Sequence, residues 1–83
     1  MHVKLKKKYG QNFLIDKNII NKISNLIHSE NLSILEIGPG DGKLTDKIVL
    51  RKPSILTLVE IDKDLAENLN KKYSKNKQIN LIN

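Results

Sequence analysis

Three alternating glycines follow a short apolar run and offer the clearest chemistry in this sequence. The segment spans residues 36–42 and reads Glu-Ile-Gly-Pro-Gly-Asp-Gly. Glycine allows a sharp turn and lets a ligand approach the backbone, because it has no Cβ. The start of a following helix presents free N–H groups and the positive end of the helix dipole. A turn of this kind can therefore bind an anion such as a pyrophosphate or a carboxylate.

A second candidate group is Glu60, which ends another apolar run and stands 20 residues beyond Gly40. Nucleotide-binding sheets place an acid at this point, where it accepts hydrogen bonds from ribose hydroxyls. The nearby Asp62 and Asp64 are better suited to capping a helix than to binding a ligand. Glu60 is therefore the predicted ribose-binding residue.

Two cofactors fit a glycine turn followed by such an acid. Dinucleotide enzymes prefer the spacing G-x-G-x-x-G, whereas residues 38–42 have the spacing G-x-G-x-G. An acid two residues before the first glycine, here Glu36, is typical of methyltransferases and could bond to loop amides. The pattern favours S-adenosylmethionine over NAD, with Gly38, Gly40 and Glu60 as contact residues.

The elements that must position these groups alternate along the chain. Apolar periodicity predicts a helix over residues 17–29, with an apolar stripe made of Ile19, Ile20, Ile23, Leu26 and Ile27, and a second helix over residues 43–51 that Pro53 ends. A third helix is predicted after Asp62 or Asp64, either of which could cap it, with Leu65, Leu69 and Tyr73 on one face. Continuous apolar runs predict buried strands over residues 33–37 and 55–59 and a third strand from residue 79. The order helix-β-α-β-α-β predicts an α/β fold with a parallel, doubly wound, Rossmann-like sheet.

In such a sheet the first strand is central, and strands 2 and 3 lie on one of its sides. The other side of that strand would be an open apolar edge, which proteins rarely leave exposed. We therefore expect these 83 residues to be the incomplete N-terminal half of a sheet. Residues 1–15 are predicted to be a basic arm, and residues 16–83 the first part of a cofactor-binding domain.

Composition limits the partners and the compartment. The formal net charge is +6, which is compatible with an anionic partner such as nucleic acid, although lysine-rich, arginine-poor usage also follows from an AT-rich genome. The chain contains no cysteine, and its two histidines lie far apart, so we expect no metal site. No apolar run approaches the ~20 residues that span a bilayer. We expect a cytoplasmic protein that binds no membrane.

Three segments together resemble a known family. They are residues 8–16 (KYGQNFLID), residues 35–45 (LEIGPGDGKLT) and residues 59–62 (VEID). In this order they are similar to the rRNA adenine dimethyltransferases of the small ribosomal subunit, of bacterial type. The resemblance implies that the segment with Asn12 and Leu14 covers the cofactor and contacts S-adenosylmethionine near its methionine end, that Gly38 supplies a backbone contact, and that Glu60 binds the ribose. It also implies that the rest of this domain and a C-terminal helical domain lie outside these residues.

The resemblance also implies a reaction, which is transfer of methyl groups to N6 of two adjacent adenosines in rRNA of the immature small subunit, by a monomer. The family's target-base loop lies beyond residue 83, so we expect no catalytic residue in this chain and no methyl transfer by it alone. Candidate contacts to the rRNA backbone lie in the basic arm, at Lys4, Lys6, Lys7 and Lys8.

Three other functions stay open. The first is methylation of large-subunit rRNA by the related antibiotic-resistance enzymes. Pro39 argues against this function, because the glycine loop of those enzymes usually lacks the proline. The second is an NAD-dependent oxidoreductase. The G-x-G-x-G spacing argues against this function, because dinucleotide enzymes prefer G-x-G-x-x-G. The third is a non-catalytic RNA-binding or ribosome-assembly factor that keeps the fold.

Overall fold

The computed structural model describes residues 17–27 and 32–83. Three helices and three strands alternate, and the elements are α1 Lys17–Asn25, β1 Ser33–Ile37, α2 Lys43–Val49, β2 Ile55–Val59, α3 Lys63–Lys72 and β3 Ile79–Ile82. The strands form one parallel sheet in the order β1-β2-β3, with Ile37 opposite Val59 and Val59 opposite Ile82. The α/β, Rossmann-like fold predicted from the sequence is confirmed.

The core lies between one face of the sheet and helices α2 and α3. Leu56 and Leu58 of β2 are fully buried there, against Ile48 of α2 and Leu69 and Tyr73 at the end of α3. The two strand crossovers have the same hand and move in the same direction along the sheet, so both helices lie on the same face. The predicted apolar face of α3 is confirmed.

The opposite face of the sheet is uncovered in the described part of the chain. Leu35 and Ile37 of β1 are 60% and 76% exposed, and Ile82 of β3 is 55% exposed. The apolar runs predicted buried strands, and within residues 17–27 and 32–83 the sheet is covered on one face. The side chains alternate along each strand, so half of each run points away from α2 and α3.

Helix α1 packs on α2 through a stripe that differs from the predicted one. Ile20 and Ser24 are buried, whereas Ile19 and Leu26 are exposed. The buried pair is spaced i, i+4, so the contact is narrower than the apolar pattern suggests. Arg51, just after α2, donates a hydrogen bond to the side chain of Asn25 and joins the ends of the two helices.

Candidate functional site

The glycine turn joins the end of β1 to the start of α2. Gly38, Gly40 and Gly42 all have positive φ, at 68°, 61° and 86°. The Gly38 amide extends the sheet by donating to the Val59 carbonyl oxygen at 2.8 Å, and the Gly42 amide donates to the Pro39 carbonyl oxygen at 3.0 Å. The turn is therefore hydrogen-bonded to β2 at its first glycine, and an internal hydrogen bond closes it at its last glycine.

Gly38 and Gly42 differ in what surrounds them. A Cβ placed on Gly38 would meet no atom within 4 Å, so the backbone here is open to an approaching group. A Cβ on Gly42 would lie 3.0 Å from the Tyr73 hydroxyl oxygen and 3.2 Å from Cδ2 of Leu69. The first glycine thus leaves room for a ligand, while the last allows α3 to pack against the start of α2.

Glu60 follows the end of β2 and reaches back to the turn. Its Oε1 accepts a hydrogen bond from the Gly40 amide at 3.0 Å, and its Oε2 accepts one from the Asp62 amide at 2.9 Å. The residue is 2% exposed. The structure therefore brings together Gly40 and Glu60, which the sequence singled out separately, through a direct hydrogen bond.

Glu36 does not make the contact that the sequence suggested. It was expected to bond to loop amides, but its Oε1 accepts a hydrogen bond from the Thr45 hydroxyl at 2.6 Å, and the amide of Gly40 is bound by Glu60 instead. Glu36 points into the face covered by α2, because side chains alternate along β1. Burial raises the pKa of Glu36 above its ordinary value of 4.5, the Thr45 hydrogen bond opposes that rise, and the nearby Asp46 adds to it.

The raised pKa of Glu36 predicts a pH dependence of stability. The folded chain keeps the proton to a higher pH than the unfolded chain does, so the free energy of unfolding falls as the pH rises from 4.5 to the folded pKa. Glu36→Gln should remove this fall, which amounts to about 1.4 kcal/mol for each unit by which the folded pKa exceeds the unfolded one. Urea denaturation from pH 4 to 8 measures it.

The matched control for this experiment is Glu67→Gln, which makes the same chemical change on the exposed surface of α3. Its stability should follow the parent protein across the whole pH range. If the difference between Glu36→Gln and the parent is the same at every pH, Glu36 does not titrate in this window.

A polar cluster behind the turn joins the end of α3 to the start of α2. The Tyr73 hydroxyl donates to Oδ1 of Asp46 at 2.5 Å and lies 3.3 Å from the Gly42 carbonyl oxygen. Lys72 pairs with Oδ2 of Asp46 at 2.9 Å, and its ammonium lies 5.4 Å from the centre of the Tyr73 ring. Burial, and then the hydrogen bond to Asp46, raise the pKa of Tyr73 above its ordinary value, so the phenol stays protonated and donates.

The sequence indicated Tyr73 only as part of an apolar helix face. Its partner Asp46 lies 27 positions earlier, and no local spacing marks the pair. A sequence signal for this pair is Gly42, because the absence of a side chain there leaves space for Tyr73 beside the start of α2.

Asp62 is the N-cap of α3, one of the two candidates that the sequence left open. Its Oδ1 accepts a hydrogen bond from the Leu65 amide at 3.0 Å, and the residue is fully buried. This cap fixes the chain directly after Glu60. It therefore helps to set the direction from which the Glu60 carboxylate reaches the turn.

The structure places three of the predicted cofactor residues, Gly38, Gly40 and Glu60, at the carboxyl ends of neighbouring strands. The other predicted contacts lie outside the described residues, namely Asn12 and Leu14 for the cofactor and Lys4, Lys6, Lys7 and Lys8 for RNA. Within residues 17–27 and 32–83, no group of three or more metal-binding side chains occurs. No helix in those two ranges is long and apolar enough to cross a membrane.

Comparison with known families shows which family this fold and turn belong to. The sequence profile of the family described as "Ribosomal RNA adenine dimethylase" matches residues 2–83. The chain belongs to the ribosomal RNA adenine dimethylase family. The match covers nearly the whole chain, including the arm and the glycine turn.

Individual members of the ribosomal RNA adenine dimethylase family agree with this assignment. The chain is 49% identical over 81 residues to the "Ribosomal RNA small subunit methyltransferase A" of Mycoplasmopsis pulmonis, and 47% identical over 83 residues to that of Pelagibacter ubique. These alignments cover 98% and 100% of this chain but 31% of each relative. The chain thus spans about a third of the length of the curated relatives that it matches.

Solved structures show the same fold. The "23S rRNA methyltransferase ErmE" superposes with a TM-score of 0.74 at 37% identity, over 87% of this chain and 30% of that protein. A "dimethyladenosine transferase from Plasmodium falciparum" superposes with a TM-score of 0.71 at 25% identity, over 84% of this chain and 27% of that protein. Rossmann-like rRNA methyltransferases therefore share the arrangement of strands and helices described above.

Proposed function

We propose that this chain forms the cofactor-binding part of an S-adenosylmethionine-dependent enzyme that dimethylates N6 of two adjacent adenosines in small-subunit rRNA. The observation that carries the proposal is the contact between Gly40 and Glu60 at 3.0 Å, beside an open Gly38. Together they form a turn with room for a ligand and an acid at its edge. The names of the curated relatives, which methylate small-subunit rRNA, support this choice of RNA.

The residues present fit the proposed cofactor. S-adenosylmethionine supplies a methyl group on a sulfonium, which is transferred to a nucleophile. Gly38 leaves the turn backbone accessible, and the Glu60 carboxylate, just after β2, is the group that would accept hydrogen bonds from the ribose hydroxyls. The same family assignment supports Asn12 and Leu14 as further cofactor contacts. The role of this chain is to bind and orient the cofactor, and catalysis by positioning of this kind needs no acid or base from it.

The basic arm is the part of the chain that we propose contacts RNA. Lys4, Lys6, Lys7 and Lys8 give the arm a charge suited to phosphates, and such contacts strengthen binding without reading sequence. The target adenine must be unstacked or single-stranded to reach a methyl donor. We propose immature small subunits as the substrate, a monomeric enzyme and a cytoplasmic location.

Two measurements on the full-length gene product that carries these residues test the function. Calorimetry should show binding of S-adenosylmethionine and none of NAD, because the glycine spacing suits the former. Incubation with small subunits that lack the modification, followed by mass spectrometry, should yield dimethyladenosine at two neighbouring positions. Protein-free large-subunit rRNA is the control, and it should remain unmodified.

Each alternative has its own outcome in these experiments. Binding of NAD alone would assign the fold to an oxidoreductase. Modification of large-subunit rRNA alone would move the substrate to that of the 23S rRNA methyltransferase that shares the fold. Binding of RNA with neither cofactor binding nor methyl transfer would indicate an assembly factor.

A further inference from the structure

The Glu60 carboxylate makes contacts in this structure that ribose binding does not require. Both of its oxygens accept backbone N–H groups, one from Gly40 at 3.0 Å and one from Asp62 at 2.9 Å. The two amides belong to different loops, because Gly40 follows β1 and Asp62 follows β2. Glu60 therefore links the glycine turn to the start of α3.

The backbone of Glu60 is itself held firmly. Its amide donates to the Ile82 carbonyl oxygen at 2.9 Å, which extends the pairing of β2 with β3. Its carbonyl oxygen accepts a hydrogen bond from the Asn83 side chain at 2.7 Å. The backbone that carries the carboxylate is therefore fixed on the sheet. The glycine turn to which the carboxylate is hydrogen-bonded has unusual conformational freedom, because glycine has no Cβ.

We infer that Glu60 is a positioning residue that sets the glycine turn before the cofactor arrives, in addition to binding its ribose. The inference rests on the proposed cofactor. Hydrogen bonds from N–H groups to a carboxylate are charge-assisted and about twice as strong as neutral ones. A buried amide without an acceptor is costly, so losing the carboxylate would release the turn into other conformations.

The two roles are chemically compatible. A carboxylate has about four acceptor positions in all, and the bonds to Gly40 and Asp62 take two of them. The ribose hydroxyls can use those that remain. A single side chain can therefore fix the turn in the free protein and still have acceptor positions for the ribose. Because Glu60 is 2% exposed here, ribose binding requires its carboxylate to become more accessible.

A ligand without ribose hydroxyls separates the two roles. Calorimetry on the full-length gene product should compare S-adenosylhomocysteine with its 2′,3′-dideoxy analogue, for the parent and for Glu60→Gln. The amide of glutamine donates where Oε2 accepts, so one of the two backbone bonds is lost. If Glu60 holds the turn, affinity for the dideoxy analogue falls about tenfold. If Glu60 only binds ribose, that affinity stays within about twofold of the parent value.

Amide hydrogen exchange in the ligand-free protein gives a second, independent readout. Exchange at Gly40 or at Asp62 should accelerate about tenfold or more in Glu60→Gln, and exchange at both amides should stay unchanged in the matched control Glu67→Gln. Unchanged exchange at both amides, with unchanged affinity for the dideoxy analogue, overturns the inference. If the parent binds neither ligand, the proposed function fails, and the exchange data still decide whether Glu60 holds the turn.

A second variant serves if Glu60→Gln does not fold. Glu60→Asp keeps the charge but shortens the side chain by one methylene, so it cannot reach both amides. It should accelerate exchange at Gly40 or at Asp62. Exchange at the parental rate in Glu60→Asp would also overturn the inference.

Discussion

Replacing Gly42 with alanine is expected to lower the free energy of unfolding by about 2–5 kcal/mol. An L-residue in the left-handed region, where Gly42 lies with φ at 86°, costs about 1–2 kcal/mol. Crowding in a packed site adds typically about 1–3 kcal/mol. The crowding arises because the new methyl would stand 3.0 Å from the Tyr73 hydroxyl oxygen. Thermal and urea denaturation of the full-length gene product measure the loss.

Gly38→Ala is the matched control for Gly42→Ala. Gly38 also has a positive φ, but its Cβ position is open, so it should show the backbone cost of about 1–2 kcal/mol alone. Tyr73→Phe loses the hydrogen bond to Asp46, but it should cost less stability in the Gly42→Ala background than in the parent, because there it also removes the nearest clashing atom. Equal losses in Gly38→Ala and Gly42→Ala would show that packing against α3 does not select glycine at position 42.

Replacing Thr45 with valine is expected to destabilise the protein by about 1–3 kcal/mol at neutral pH. Valine keeps the shape of this fully buried side chain but removes the hydroxyl that donates to Glu36 at 2.6 Å. A buried carboxylate then loses its donor. The Thr45 hydrogen bond also lowers the pKa of Glu36, so the variant should hold the Glu36 proton to a still higher pH.

The pH dependence distinguishes this effect from a simple loss of packing. The hydroxyl stabilises the charged form of Glu36, so the cost of Thr45→Val should be largest well above the folded pKa. It should shrink as the pH falls toward 4.5 and Glu36 takes up its proton. The control is the same substitution in a Glu36→Gln background, where the cost should not vary with pH. A cost in Thr45→Val that is constant from pH 4 to 8 contradicts the assignment.

Much of the fold followed from local patterns. The positions of all six elements were predicted within a few residues of the observed bounds, because apolar periodicity distinguishes buried strands from amphipathic helices. Residue type before an apolar helix face limited the N-cap of α3 to Asp62 or Asp64, and the structure shows that it is Asp62. Pro53 correctly marked the end of α2, after which Lys52 takes a positive φ of 56°.

Other features could not be read from local patterns. The stripe of α1 was wrong at Ile19 and Leu26, because adjacent apolar residues on a helix do not show which one faces a neighbour. The loop-amide contact suggested for Glu36 does not form, because its Oε1 accepts from the Thr45 hydroxyl, which lies nine positions further along the chain. Only the position of α2 over β1 decides that Thr45 is the donor.

The sequence by itself determined the glycine turn, its acidic neighbours and the alternation of strands and helices, since each is a pattern of residue types over short distances. The tertiary structure decided which acid does what. The Glu60 carboxylate accepts a hydrogen bond from the Gly40 amide, and Glu36 accepts one from a hydroxyl of α2. Asp46 accepts one from the Tyr73 hydroxyl. Those pairs lie 9 to 27 positions apart. They form only because the parallel sheet and its two helices bring the carboxyl ends of the strands and the start of α2 together.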